Sequence, residues 1–188
     1  MKIGSLFAGI GGIELGFQQN GFEIKWANEI DEKASITYKT NFKHTLYIQD
    51  LRTFHAPSKI DILTAGFPCQ AFSIAGLQKG FNDDRGNIFF EILRIIDEAN
   101  PSILFLENVK NLTSHDRGRT FSIIKKSLEG KGFNLYAKVL NTKDFGIPQN
   151  RERIYIVGFK QNITKEFKFP KPLSLEKNNS RYVRKKYT

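Results

Sequence analysis

Ile3-Gly4-Ser5-Leu6-Phe7-Ala8-Gly9-Ile10-Gly11-Gly12-Ile13-Glu14-Leu15-Gly16-Phe17 is the stretch that decides the fold. Residues 3–8 form an apolar run long enough for a buried strand, Gly9 to Gly12 supply a turn, and a helical pattern over 14–19 follows. A strand that passes through a glycine turn into a helix opens a parallel α/β unit, because parallel neighbours can be joined only by a crossover. Outward from this unit the alternation continues. Runs at 24–27, 60–65, 103–106, 135–140 and 154–159 read as further strands, and a third strand is expected to end at Asp50. Asp31 is placed to cap a helix over 32–41, and Asn87 to cap a longer one. In that longer helix Ile88, Phe89, Ile92, Leu93 and Ile96 make one apolar stripe, and Asn100-Pro101 ends it. Residues 120–129 put Phe121, Ile124 and Leu128 on one face before Gly130 and Gly132. The expected fold class is α/β, a mostly parallel twisted sheet with helices on both faces.

With 188 residues, 40% of them hydrophobic, the chain suffices for one core. Residues 1–160 are expected to form that domain, and 161–188, rich in Lys and Arg, a basic linker or tail. No run of about 18 uncharged apolar residues occurs, so a cytoplasmic protein away from membranes is expected. The single cysteine, Cys69, forms no intrachain disulfide, and with His44, His55 and His115 scattered no metal site is expected. A formal net charge of +10 suits a polyphosphate partner, nucleic acid first, and equally a merely soluble basic surface.

Chemistry can be sought where strands end. Glycines at 9–12 let a ligand approach the main chain beside a helix N-terminus, although a tight connection needs them too. Glu29, seventeen residues after Gly12, stands at the end of the second strand, where a carboxylate can accept ribose hydroxyls. Asp50 repeats the pattern on the next strand. Together they suggest a nucleoside cofactor, either a dinucleotide or S-adenosylmethionine. The fourth strand ends in Gly66-Phe67-Pro68-Cys69-Gln70, which sets a thiol at the sheet edge; a lone cysteine is otherwise more often a small buried hydrophobe. The fifth ends in Glu107-Asn108-Val109, and a charge after four apolar residues is seldom there for packing. Arg151 and Arg153 fall on one side of the last strand by its period of two. Residues 68–86 make a long glycine-containing loop of the kind that covers or binds ligands.

These four motifs, Phe7-Ala8-Gly9-Ile10-Gly11-Gly12, Gly66-Phe67-Pro68-Cys69-Gln70, Glu107-Asn108-Val109 and Gln149-Asn150-Arg151-Glu152-Arg153, stand in an order that resembles the DNA cytosine-C5 methyltransferases of bacterial restriction-modification systems. The resemblance runs from Lys2 to about Pro172 and implies an S-adenosylmethionine-dependent methyltransferase (Rossmann-like) fold. It makes a nicotinamide dehydrogenase remote. It implies that Cys69 adds as a thiolate to C6 of cytosine, which makes C5 nucleophilic towards the cofactor's methyl group. Glu107 would bond the N3 and amino edge of the base, and Arg153, with Arg151, would orient it through O2. For S-adenosylmethionine the resemblance implies Phe7 against adenine, Gly9, Ile10 and Gly12 around the amino-acid end, Glu29 on ribose, Asp50 and Leu51 at the adenine edge, and Ile30 and Pro68 lining the pocket. The cytosine would be extruded from double-stranded DNA and covered by a loop carrying Gln70, Ser73, Lys79 and Arg85, the last two meeting phosphates.

Members of that family continue past residue 159 into a target-recognition domain and two further motifs, which are not in this sequence. A chain without them is expected to position DNA without reading it. The expected arrangement is a catalytic half that needs a second polypeptide carrying those parts, or a truncated form. Two alternatives are a non-catalytic remnant that binds cofactor or DNA, and a tRNA cytosine-C5 methyltransferase using the same centre.

Overall fold

Lys2–Leu6 (β1) is buried from Ile3 onward, so it forms the middle of a sheet rather than an edge. The computed structural model describes residues 1–68, 88–163 and 166–173. After β1 come α1 (Gly12–Gln19), β2 (Glu23–Glu29), α2 (Glu32–Asn41), β3 (Thr45–Ile48) and β4 (Ile62–Gly66). The chain continues with α3 (Ile88–Ala99), β5 (Ile103–Val109), α4 (Arg119–Gly130), β6 (Phe133–Asn141) and β7 (Glu152–Lys160). Among the described residues the strands form one sheet in the order β3-β2-β1-β4-β5-β7-β6. The first five in that order are parallel, and β7 runs antiparallel to both β5 and β6. Strand order reverses between β1 and β4, which opens a crevice at the carboxyl ends of those strands.

Both faces carry helices. On one, Leu104 and Leu106 of β5 join Ile92, Ile95 and Ile96 of α3 and Ile124 and Leu128 of α4 in the main core. On the other, Phe17 of α1 meets Phe105 edge-on with centroids 5.2 Å apart, beside Ile3, Ile24 and Ile62. The expected stripe on α3 is shifted slightly around the helix: Phe89, Ile92, Ile95, Ile96 and Ala99 are buried, whereas Ile88 and Leu93 are half-buried against the core. Asp31 caps α2 as expected, accepting from the N–H groups of Lys33 and Ala34 at 2.7 and 3.0 Å.

Several boundaries move, each for a local reason. The first strand stops at Leu6, not residue 8, because Phe7 takes a positive φ of 55° and starts the turn. The third stops at Ile48, not Asp50, whose carbonyl accepts from Thr53 and Phe54 and so belongs to a turn. The fourth starts at Ile62. Glu107, Asn108 and Val109 are not beyond the fifth strand but inside it, held by pairing with Tyr155, Ile154 and Arg153 of β7. Arg151 lies just before β7. Asn87 and loop residues 70–86 lie outside the described residues. Beyond β7, Phe167 packs on Tyr136 and Phe159, and the Leu173 N–H donates to the Asp144 carbonyl at 2.8 Å.

Trp26 of β2 lies across Gly4 of β1: a Cβ on Gly4 would stand 2.3 Å from the Trp26 ring. Gly4→Ala is therefore expected to lower stability by about 1–3 kcal/mol through overpacking. Urea unfolding should show a lower midpoint with an unchanged slope. Combining it with Trp26→Leu should cost less than the sum of the two single changes; strict additivity would mean that the methyl group finds space elsewhere.

Candidate active site

The left-handed turn after β1 is shaped by what lies beneath it. Gly9 and Gly11 have φ of 57° and 95°, and a Cβ on Gly11 would collide with the Phe42 ring at 2.0 Å. Among the described residues, Cβ atoms on Gly9 or Gly12 would meet nothing within 4 Å, so these two positions are open there. Glu29, only 8% exposed, ties the turn to β2. One of its oxygens accepts from the Gly9 N–H at 2.7 Å; the other accepts from Ile30 and Asp31 at 2.7 and 2.8 Å. A carboxylate offers roughly four acceptor positions, so with three engaged one remains for an incoming hydroxyl.

Apolar side chains flank that carboxylate. Ile10 and Ile30 are 62% and 60% exposed, which leaves two isoleucines bare at the mouth of the crevice. Phe7 is half-buried against the main core. Asp50 is half-buried and accepts from the Arg52 N–H at 2.9 Å, while the adjacent Leu51 side chain is buried. A polar acceptor, bare apolar flanks and glycines open among the described residues fit a nucleoside whose sugar meets Glu29.

A second group of residues gathers at the ends of β4, β5 and β7. A Cβ on Gly66 would lie 3.6 Å from Glu107 Oε2, 3.7 Å from Ile13 Cδ1 and 3.9 Å from the Phe7 carbonyl. The glycine turn, the start of α1 and the acid of β5 thus converge within one side chain's reach of Gly66. Arg153 Nε sits 2.9 Å from Glu107 Oε1, and both side chains are about one-fifth exposed. Sheet register explains the pair, because Arg153 faces Val109 and so lies diagonally across from Glu107 on the same face. Tyr155 lies directly opposite Glu107; burial pushes its phenol pKa up, and the Glu107 charge adds to this while Arg151 and Arg153 oppose it. Arg151 is exposed, with its main-chain N–H bonded to Asn141 Oδ1 at 3.2 Å. Pro68 is exposed at the end of β4; Cys69, Gln70, Ser73, Lys79 and Arg85 lie outside the described residues.

Three polar residues given no role by the sequence reading serve this edge. Asn108, 2% exposed, donates to the Phe67 carbonyl at 2.9 Å and fixes the backbone two residues before Cys69. Asn28, also 2% exposed, donates to the Gln49 carbonyl at 2.8 Å and holds β3 beside β2. Glu14, 1% exposed, accepts from the Ser5 hydroxyl, which itself accepts from Thr64 at 2.9 Å. Its other oxygen has no hydrogen-bond partner among the described residues. The sequence held one signal, since Glu14 stands one turn before Phe17 on the buried face of α1.

Burial pushes the Glu14 pKa up, against the opposing effect of the Ser5 hydrogen bond. A folded-state pKa above the unfolded 4.5 means that the folded chain binds the extra proton. The stabilisation is complete below that value and is lost as pH rises through the folded pKa. Glu14→Gln should therefore melt higher than the unsubstituted chain at pH 8, by about 2–4 °C per 1 kcal/mol recovered, and gain nothing at pH 4. Parallel melting curves against pH for the two proteins would contradict this.

The chain matches the family described as C-5 cytosine-specific DNA methylase over residues 1–187. It is 54% identical over 182 residues to Type II methyltransferase M.Bsp6I of Bacillus sp. (strain RFL6), covering 93% of this chain and 58% of that protein. To M.HhaI of Haemophilus parahaemolyticus it is 47% identical over 173 residues, covering 90% and 53%. The chain thus spans little more than half the length of these curated relatives. Among solved structures it resembles a DNMT2 variant of Spodoptera frugiperda with a TM-score of 0.72 at 27% identity, over 89% of this chain and 52% of that one. With its sheet order, its crevice between β1 and β4 and these matches, the chain belongs to the C-5 cytosine-specific DNA methylase family.

Proposed function

We propose that this chain carries the catalytic part of a DNA (cytosine-5-)-methyltransferase of a restriction-modification system, acting on a cytosine flipped out of duplex DNA. The observation that carries this reading is the Glu107–Arg153 pair beside Gly66, where the strand leading to Pro68-Cys69 meets the glycine turn. S-adenosylmethionine supplies an electrophilic methyl group when bound. Phe7, Gly9, Ile10, Gly12, Glu29, Ile30, Asp50, Leu51 and Pro68 would hold it, Glu29 through its remaining acceptor position.

In the proposed reaction the Cys69 thiolate forms a bond to C6 of cytosine, and the ring's electron pair becomes available at C5. C5 would then take the methyl group as its bond to the sulfonium sulfur breaks and S-adenosylhomocysteine is left; the C5 proton would pass to water or another base, and the electron pair of that C–H bond would expel the thiolate from C6. Glu107 bonds the N3 and amino edge, where charge develops during the addition. Arg153 holds Glu107 in that orientation and, with Arg151, faces O2 and nearby anions. Gln70 and Ser73 accompany the flipped base, and Lys79 and Arg85 meet phosphates. Sequence choice comes from base-edge contacts, which this reading assigns to a target-recognition part outside residues 1–188, on the same or a second polypeptide. Relatives of which the match covers only 58% and 53% support that division.

Incubation with S-adenosylmethionine and a duplex containing 5-fluorocytosine tests the reading, because fluorine cannot leave as the proton does and the adduct persists. A covalent protein–DNA band is expected, and Cys69→Ser should abolish it. Glu107→Gln should slow adduct formation by about 10²-fold or more, the usual effect of removing one group that stabilises developing charge. Retained cofactor binding without adduct would favour a binding remnant, and faster tritium transfer to tRNA than to duplex DNA would favour an RNA substrate. Sequence-specific methylation by these 188 residues unaided would overturn the assignment of target choice to another part.

A further inference from the structure

Arg94 lies on α3, outside the motifs that carry the chemistry, yet its guanidinium is engaged on every side. Nε donates to Glu91 at 2.6 Å, one terminal nitrogen donates to Glu98 at 2.6 Å, and the other donates to the main-chain carbonyls of Leu51 and Phe54, both at 2.8 Å. Glu98 adds to the grip: its carboxylate accepts from the Ala56 N–H and contacts His55 Nδ1, both at 2.9 Å. Its main-chain carbonyl accepts from Lys59 at 2.7 Å. The segment held in this way is the turn after β3. Asp50 begins it, with its carbonyl accepting from Thr53 and Phe54 and its carboxylate accepting from the Arg52 N–H. The side chains of Leu51 and Phe54 are 3% and 1% exposed, so the turn is anchored through side chains from inside and through carbonyls by Arg94.

We infer that Arg94 is a positioning residue for the cofactor site: it fixes the turn 50–56 so that Asp50 and Leu51 stand ready at the adenine edge before the cofactor arrives. The inference rests on the proposed function for its ligand and goes beyond it in naming what orders the pocket. One guanidinium nitrogen serves both carbonyls while the other two pair with Glu91 and Glu98, so a single planar group makes all four contacts at once; a lysine ammonium, with one nitrogen and three donors on a flexible stem, cannot. Holding a turn in its bound shape removes an ordering cost from the binding step, so the effect belongs in cofactor affinity. Glu91 and Glu98, at i−3 and i+4 on the same helix, keep the fork aimed at the turn.

The test is calorimetric binding of S-adenosylhomocysteine to the unsubstituted chain, Arg94→Lys, Arg94→Met and Glu29→Gln, with amide hydrogen exchange on the ligand-free proteins. Arg94→Met should weaken binding about 10-fold or more, and Arg94→Lys should fall in between. Exchange at residues 51–56 should accelerate while the amides of β1 and β4 stay protected, a local signature that general loss of stability would not give. Unchanged affinity in Arg94→Met, with or without faster exchange, overturns the inference while the proposed function stands. If the unsubstituted chain binds no S-adenosylhomocysteine, both fall. Should Arg94→Met fail to fold, Arg94→Lys decides, and affinity equal to that of the unsubstituted chain overturns the inference.

Discussion

The bond from the Gly9 N–H to Glu29 is the interaction on which the crevice depends. It joins the turn after β1 to the end of β2, and it does so with a carboxylate that is also held by the first two N–H groups of the next segment. Backbone donors on both sides hold this carboxylate in place. A fixed acceptor then stands one strand away from the point where strand order reverses, bonded to the glycine turn that ends β1. Loss of that acceptor would leave three backbone donors at the edge of the core without a partner, so the group that shapes the turn is also the group best placed to receive a ligand.

The opposite wall is made by a strand running the wrong way. Because β7 is antiparallel to β5, its first residues, rather than its last, arrive at the carboxyl edge of the sheet. Arg153 therefore meets Glu107, although 45 intervening positions separate them in sequence. A parallel β7 would have carried these arginines to the far edge. The same register sets Tyr155 against Glu107 and half-buries it, which pushes its phenol pKa up.

Much of this was legible in the residues. Alternating apolar runs and helical patterns gave the α/β class, Asp31 gave the start of α2, and the glycines at 9–12 gave the first turn. Glu29 and Asp50 stand out as acids at successive strand ends beside a glycine turn, and Glu107 as a charge after four apolar residues, which is seldom there for packing. The roles of Asn28, Asn108 and Glu14 are not legible in the sequence, because their partners, the carbonyls of Gln49 and Phe67 and the hydroxyl of Ser5, are set by strand pairing and helix docking. Arg94 was hidden for the same reason, since on a helix beside two glutamates it reads as a solvated ion-pair face.

The sequence by itself determined which elements form and in what order, because periodicity, caps and glycine turns act over a few residues. It also carried the ordered motifs that mark the family. Only the tertiary structure decided the insertion of β7 between β5 and β6, and with it the Glu107–Arg153 pair. It likewise decided that Arg94 grips the turn holding Asp50, and that Glu14 is buried with one oxygen unpartnered among the described residues. These depend on contacts between residues tens of positions apart, whose energies are set by burial and register, and neither is a property of a local stretch of chain.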